Sequence, residues 1–167
     1  MAYLYLILPK KIAVLTLDQL QKDPTYGGLM EFLNQDVSDE QKKDMGGRGW
    51  IQEKIFGEKD EPQYSRHDIE HLTPFSNHLH GKKTWEVILL DEGKAKLRLG
   101  GKIIETEAGL ILDGDFEQTV IMEPRTLVII PPETPQSIEL LTSFIKTKVV
   151  MTPPFNRADS FNFKLRA

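Results

Sequence analysis

The chain contains no cysteine. Disulfides and thiolate-bound metals are excluded, so any metal must be held by histidine, carboxylate or amide side chains. A cysteine-free chain is compatible with the cytoplasm, which is the expected location. Positive charge is not in excess either: 21 lysines and arginines stand against 25 aspartates and glutamates, a formal net charge of -4. Nucleic-acid binding usually needs a basic surface, so no such partner is expected. The opening apolar run, Ala2 to Leu8, is too short to span a bilayer. It also lacks the charged leader and small-residue cleavage site of a signal peptide, so neither membrane insertion nor export is expected.

What is present suits a single globular domain: 167 residues, 40% of them apolar and 28% charged. The expected division is an N-terminal strand and helices over 1–49, a β-barrel over 50–155 and a tail over 156–167. In the first part, Ala2–Leu8 reads as a strand with apolar residues on both faces. Thr16 with Gln19, and Ser38 with Gln41, have the spacing of helix-capping boxes. Leu29, Phe32 and Leu33 form a short helical face, and Gly46-Gly47 would end a helix begun near Ser38.

After Trp50 the chain reads as short strands and turns. Strands are expected at Trp50–Phe56, Trp85–Leu90, Lys94–Leu99, Lys102–Glu107, Leu110–Leu112, Glu117–Met122, Thr126–Ile130, Gln136–Leu140 and Phe144–Thr152. Gly100-Gly101 has the form of a two-residue hairpin turn. Pro131, Pro132 and Pro135 mark a loop, since proline cannot serve in a central ladder. Many short, closely spaced strands mean a sandwich or barrel. His67 and His71, in the charged stretch RHDIEH, read as solvated or strand-edge histidines. Within Trp85–Leu90, Glu86, Ile88 and Leu90 share one face, and Trp85, Val87 and Leu89 share the other. If the first faces the interior, the second is an apolar outer face. Either the N-terminal segment or a second subunit must cover it, and a homodimer is the expectation.

The residues that point to chemistry are His78-Leu79-His80 followed by Glu86. An HxH pair on a strand sends both imidazoles to one face, and the short Gly81–Thr84 connection lets Glu86 return into the same space. Two imidazoles and a carboxylate make a facial set for a divalent metal, with positions left open.

This pattern resembles the first motif of the cupin superfamily, G-x5-H-x-H-x3,4-E-x6-G. His78, His80, Glu86 and Gly93 match, with one extra residue between His80 and Glu86 and Leu72 in place of the first glycine. The segment Arg125 to Leu140 resembles the second motif, G-x5-P-x-G-x2-H-x3-N. Pro131 matches; Arg125, Glu133 and Leu140 replace the two glycines and the asparagine, and Gln136 replaces the histidine. Thr84-Trp85 and the later PPETPQSIE are also similar to the cupin-like domain of tellurite-resistance proteins.

The resemblance implies a mainly β fold, a double-stranded β-helix (cupin jelly-roll barrel), with a partly helical N-terminal segment packed outside. It implies a divalent metal (Fe, Mn, Ni, Zn or Co) on His78, His80, Glu86 and Gln136, and a small-molecule ligand or substrate inside the barrel. Dioxygenase, isomerase and lyase activities all occur in the superfamily. The alternative is a metal- or small-molecule-binding cupin without catalysis, in a regulatory or stress-related role.

Overall fold

The computed structural model describes residues 8, 10–26, 28–60 and 62–166. Two antiparallel sheets face one another across an apolar interior. The larger has seven strands in the order β1 (Ala13–Thr16), β11 (Thr126–Ile130), β6 (Trp85–Glu92), β13 (Ile145–Thr152), β4 (Tyr64–His71), β3 (Gly49–Phe56) and β2 (Lys43–Asp44). The smaller has five: β10 (Gln118–Met122), β7 (Ala95–Leu99), β12 (Gln136–Leu140), β5 (His78–His80) and β14 (Ser160–Asn162). The barrel sheets thus draw β1, β2 and β14 from outside 50–155. A third sheet, β8 (Lys102–Thr106), β9 (Gly109–Asp113) and β15 (Lys164–Leu165), lies outside. Its apolar residues pack on Leu79, the outward residue of the HxH strand.

The alternation expected for Trp85–Leu90 holds. Ile88 and Leu90 enter the interior cluster, while Val87 and Leu89 join an outer one with Trp85 packed against it. That outer cluster is completed by two short helices, α1 (Leu17–Lys22) and α2 (Leu29–Leu33). Leu20, Leu29, Phe32 and Leu33 lie against Val87, Leu89, Leu127 and Ile129. The apolar face that suggested a second subunit is therefore covered within the chain. Burial of each such side chain stabilises by about 2 kcal/mol, which is what fixes helices too short to persist alone. Thr16 caps α1 through the expected reciprocal pair with Gln19. Arg66, 1% exposed, reaches through the packing to donate to the Leu33 and Gln35 carbonyls at the end of α2. Of the expected strand Ala2–Leu8, only Leu8 lies among the described residues, buried in this outer cluster.

Three expectations are corrected. No helix follows Ser38: its backbone N–H donates to Asp36 Oδ1, and the chain turns and enters β2. The segment has a capping pattern but no apolar stripe to bury. Gly100-Gly101 is not a hairpin, because β7 pairs with β10 and β12 while β8 pairs with β9; the two glycines carry the chain from one sheet to another. RHDIEH is neither solvated nor an edge: it forms most of β4, between β13 and β3. No helix among the described residues is long and apolar enough to cross a membrane.

The turns that precede β11 and β12 each hold a non-glycine residue in left-handed backbone. Arg125 and Glu133, which stand where the second motif has glycine, adopt left-handed backbone with φ of 76° and 62°. Each carries a Cβ penalty of about 1 kcal/mol in that conformation. In return the Glu133 N–H donates to the His80 carbonyl at 2.9 Å, tying this loop to the HxH strand. Glu133→Gly is expected to raise stability by about 1 kcal/mol in chemical denaturation, since glycine relieves the strain. Glu133→Ala, which keeps the Cβ, should leave it within about 0.5 kcal/mol of the parent; equal effects of the two would assign the change to the lost charge instead.

Candidate metal centre

Local pairing brings the two motifs together. Antiparallel register sets Gln136 of β12 opposite His78 of β5, and Ser160 of β14 opposite His80. Residues opposite one another in a ladder share a face, so His78, His80 and Gln136 point the same way, toward the larger sheet. From that sheet Glu86 comes in on β6. The ligand atoms of His78, His80 and Glu86 all lie within 4.8 Å of one another. His80 and Glu86 are buried and His78 is partly so.

Each group is held by a named neighbour. Nδ1–H of His78 donates to the Ser76 carbonyl at 2.9 Å, which leaves the Nε2 lone pair available as a ligand. Nε2 of His80 lies 2.9 Å from Glu86 Oε2, a proton-bridged pair whose place a cation can take. The loop after His80 is tied down by Asp159: its carbonyl accepts from Gly81 N–H, and its carboxylate from the Thr84 hydroxyl. Gly81 leaves room for that carboxylate, since a Cβ there would lie 1.9 Å from Asp159 Oδ1.

The electrostatics follow from burial and pairing. Burial works against the charged form of Glu86, but its hydrogen bond to His80 and the nearby His78 and His67 imidazoles outweigh that and hold it below the usual carboxylate value. Burial likewise works against His80, and the Glu86 hydrogen bond and charge, with Asp159, reverse it and raise the imidazole. Deeper in β4, burial depresses His67, opposed by the charges of Glu53 and Glu86. Nε2 of His67 lies 2.9 Å from Ser65 Oγ and 3.5 Å from Glu53 Oε2. Burial pushes His71 down to about 4; its Nε2 lies 3.0 Å from Thr147 Oγ1 and its Nδ1 has no partner among the described residues.

These groups line one cavity of about 400 Å³, walled by apolar residues such as Ile69, Ile88, Ile138, Val149 and Phe155. Gln136, 3% exposed, is on its lining, and its Nε2 is buried without a partner. A buried amide with a spare polar atom beside two imidazoles and a carboxylate fits a hard or borderline divalent cation, with the amide turned to offer oxygen. All four sequence-named residues are thus in one place. His67 and His71, read from sequence as solvated or strand-edge, prove to be buried residues on the lining of the same cavity. The signal that could have found them is their spacing: Ser65, His67, Ile69 and His71 alternate, as one strand face must.

No protein-family model matches the chain, and no curated protein matches it in sequence. Solved structures do match. The Streptomyces nucleoside dehydratase Pac13, in complex with uridine, superposes with a TM-score of 0.51 at 12% identity, over 76% of this chain and 86% of its own. Oxalate decarboxylase from Bacillus subtilis gives 0.52 at 18% identity, over 77% of this chain and 31% of its own. That from Lactobacillus farciminis, in a formate complex, gives 0.52 at 16%, over 77% and 35%. The chain therefore spans about a third of the oxalate decarboxylases and most of Pac13. This is the cupin fold. The likeness to tellurite-resistance proteins finds no counterpart among these cupin structures.

The burial of His71 in this fold has a consequence in pH. The unfolded imidazole takes up a proton near 6.5, whereas the folded one resists until about 4. Between those values the unfolded chain binds more protons, so stability falls as pH falls through that window. The loss attributable to His71 should reach about 3 kcal/mol at its lower end. His71→Gln keeps a partner for Thr147 and should flatten the dependence of the urea midpoint between pH 7 and 4.5. Parallel curves for parent and variant would show that His71 is not the responsible group.

Proposed function

We propose that the protein is a metal-dependent cupin enzyme that acts on a small molecule inside the barrel. The observation that carries this reading is the convergence of His78, His80 and Glu86 within 4.8 Å on the lining of the cavity. The Mn(II) centres described for the Bacillus subtilis oxalate decarboxylase support a divalent metal on this fold.

His78, with its tautomer fixed by Ser76, and His80, freed from Glu86, offer two neutral imidazoles; Glu86 offers the one anionic ligand. Gln136 completes the set with an amide oxygen. A bound divalent cation would polarise a carbonyl or hydroxyl of the substrate. The apolar wall lowers the local polarity around the buried groups and strengthens their electrostatics. His67 is the cavity imidazole placed to accept a proton: burial holds it neutral, and Glu53, 3.5 Å from its Nε2, opposes that effect once the ring is charged. Gln136 in place of the family's histidine is the one feature that favours binding without catalysis.

Protein purified without a histidine tag should contain close to one Fe, Mn, Ni, Zn or Co per chain by elemental analysis. His80→Ala should lose it, and Gln136→His should bind Zn or Ni more tightly, because imidazole is the better ligand for borderline cations. Absence of metal, with none taken up on reconstitution, would sink the proposal. An unchanged affinity in Gln136→His would remove Gln136 from the ligand set.

A further inference from the structure

The chain has six arginines. Four are ion-paired: Arg66 with Asp68, Arg98 with Glu139, Arg125 with Asp18 and Arg166 with Asp113. The other two, Arg48 and Arg157, have no carboxylate partner among the described residues, and both are on the lining of the same cavity. Both side chains are exposed, so they stand at its rim rather than its floor.

Neither arginine hangs on a loose segment. The Arg48 carbonyl accepts from Leu72 N–H at 2.9 Å, and its Nε donates to the Met45 carbonyl at 3.0 Å. The next residue, Gly49, packs its backbone so close to β4 that a Cβ would lie 1.7 Å from the Glu70 carbonyl oxygen. Arg157 opens the short 3-10 turn Arg157–Asp159, capped by Asn156. Asp159 of that turn is the residue that holds Gly81 and Thr84, directly after the HxH strand. Both guanidinium groups are therefore carried on backbone tied to the strands that bear the cavity histidines.

With a cation bound, the charge balance favours anions. The carboxylates on the cavity lining are Glu53, which faces His67, and Glu86, which faces His80. With a divalent cation on the cluster, the lining carries a positive surplus within a chain of net charge -4. A positive cavity in a negative surface draws anions to one place. Guanidinium is also the side chain whose fork matches a carboxylate or a phosphate.

We propose that the cavity receives a small organic anion, held by its carboxylate or phosphate at Arg48 and Arg157 while the remainder of the molecule reaches the His78–His80–Glu86 cluster. The second half of this statement and the positive surplus rest on the metal reading above; the contact with two arginines that lack a carboxylate partner among the described residues does not.

The test is calorimetric titration of Mn(II)-loaded and chelator-treated protein with malonate, inorganic phosphate and uncharged malonamide. Malonate or phosphate should bind and malonamide should not; which of the two anions binds more tightly tells carboxylate from phosphate. Arg48→Gln/Arg157→Gln should weaken that binding about tenfold or more, the worth of one charge-assisted contact. Arg98→Gln/Arg166→Gln, which removes two already paired arginines, should leave it unchanged, and equal melting temperatures would show that both variants fold. Malonamide binding as tightly as malonate, an unaltered affinity in the Arg48/Arg157 variant, or no saturable binding of either anion in the millimolar range would overturn the inference. Arginine-dependent binding in protein that takes up no metal would retain it while the metal reading fails. Metal-loaded protein whose anion affinity ignores both arginines would do the reverse.

Discussion

A carboxylate in the interior of an apolar barrel must be paired, and in this protein that constraint falls on Glu86. It is 6% exposed, on a strand whose neighbouring inward residues are Ile88 and Leu90. Burying an unpaired carboxylate costs several kcal/mol, and hydrogen bonding to an imidazole offsets much of it. The partner is His80, from the opposite sheet. The two sheets are therefore joined at their most polar point by a contact that neither could make alone. Ser76, Asp159 and Glu133 in turn hold the imidazoles or their backbone in position. Removing one partner would leave the other buried and unsatisfied, so the site and the fold are maintained by the same contact.

How much of this could be read in the chain depended on whether a strand's surroundings were ordinary. Trp85–Leu90 alternates cleanly because its inner face meets apolar core and its outer face meets helices. β4 does not. Its inner face carries Ser65, His67 and His71 because it lines the cavity, and its outer face carries Arg66 and Asp68 because Arg66 must reach the end of α2. Polar residues thus fall on both faces of a central strand, and hydrophobic alternation, the usual signal, is erased. The failed helix after Ser38 is the converse case: a capping pattern without the apolar stripe that gives a helix something to bury. In both places a local rule was overridden by what the segment packs against.

The candidate site was legible for a different reason. HxH followed by a glutamate is a spacing, and strand geometry converts spacing directly into position. The second motif is subtler, because it has kept only its proline. Its glycine positions hold Arg125 and Glu133, yet both backbones remain left-handed. The segment that carries these two residues leads into the register that sets Gln136 opposite His78.

Gln136 then becomes a question of donor chemistry rather than of placement. If the cluster holds a cation with Gln136 among its ligands, the charge of the set is the same as with a histidine there, because both side chains are neutral. What changes is hardness: a nitrogen donor becomes an amide oxygen, and two imidazoles plus two oxygen donors remain. Such a set discriminates less strongly in favour of zinc, nickel and copper and is more accommodating to harder cations such as manganese. The amide is also the weaker ligand, so it is the donor most readily displaced by an incoming oxygen atom. On the metal reading, His78, His80 and Glu86 would keep a cation in place, and Gln136, as the yielding member, would open a position. That asymmetry is compatible with turnover as well as with storage, and it places the difference between the two in the contents of the cavity rather than in the ligands.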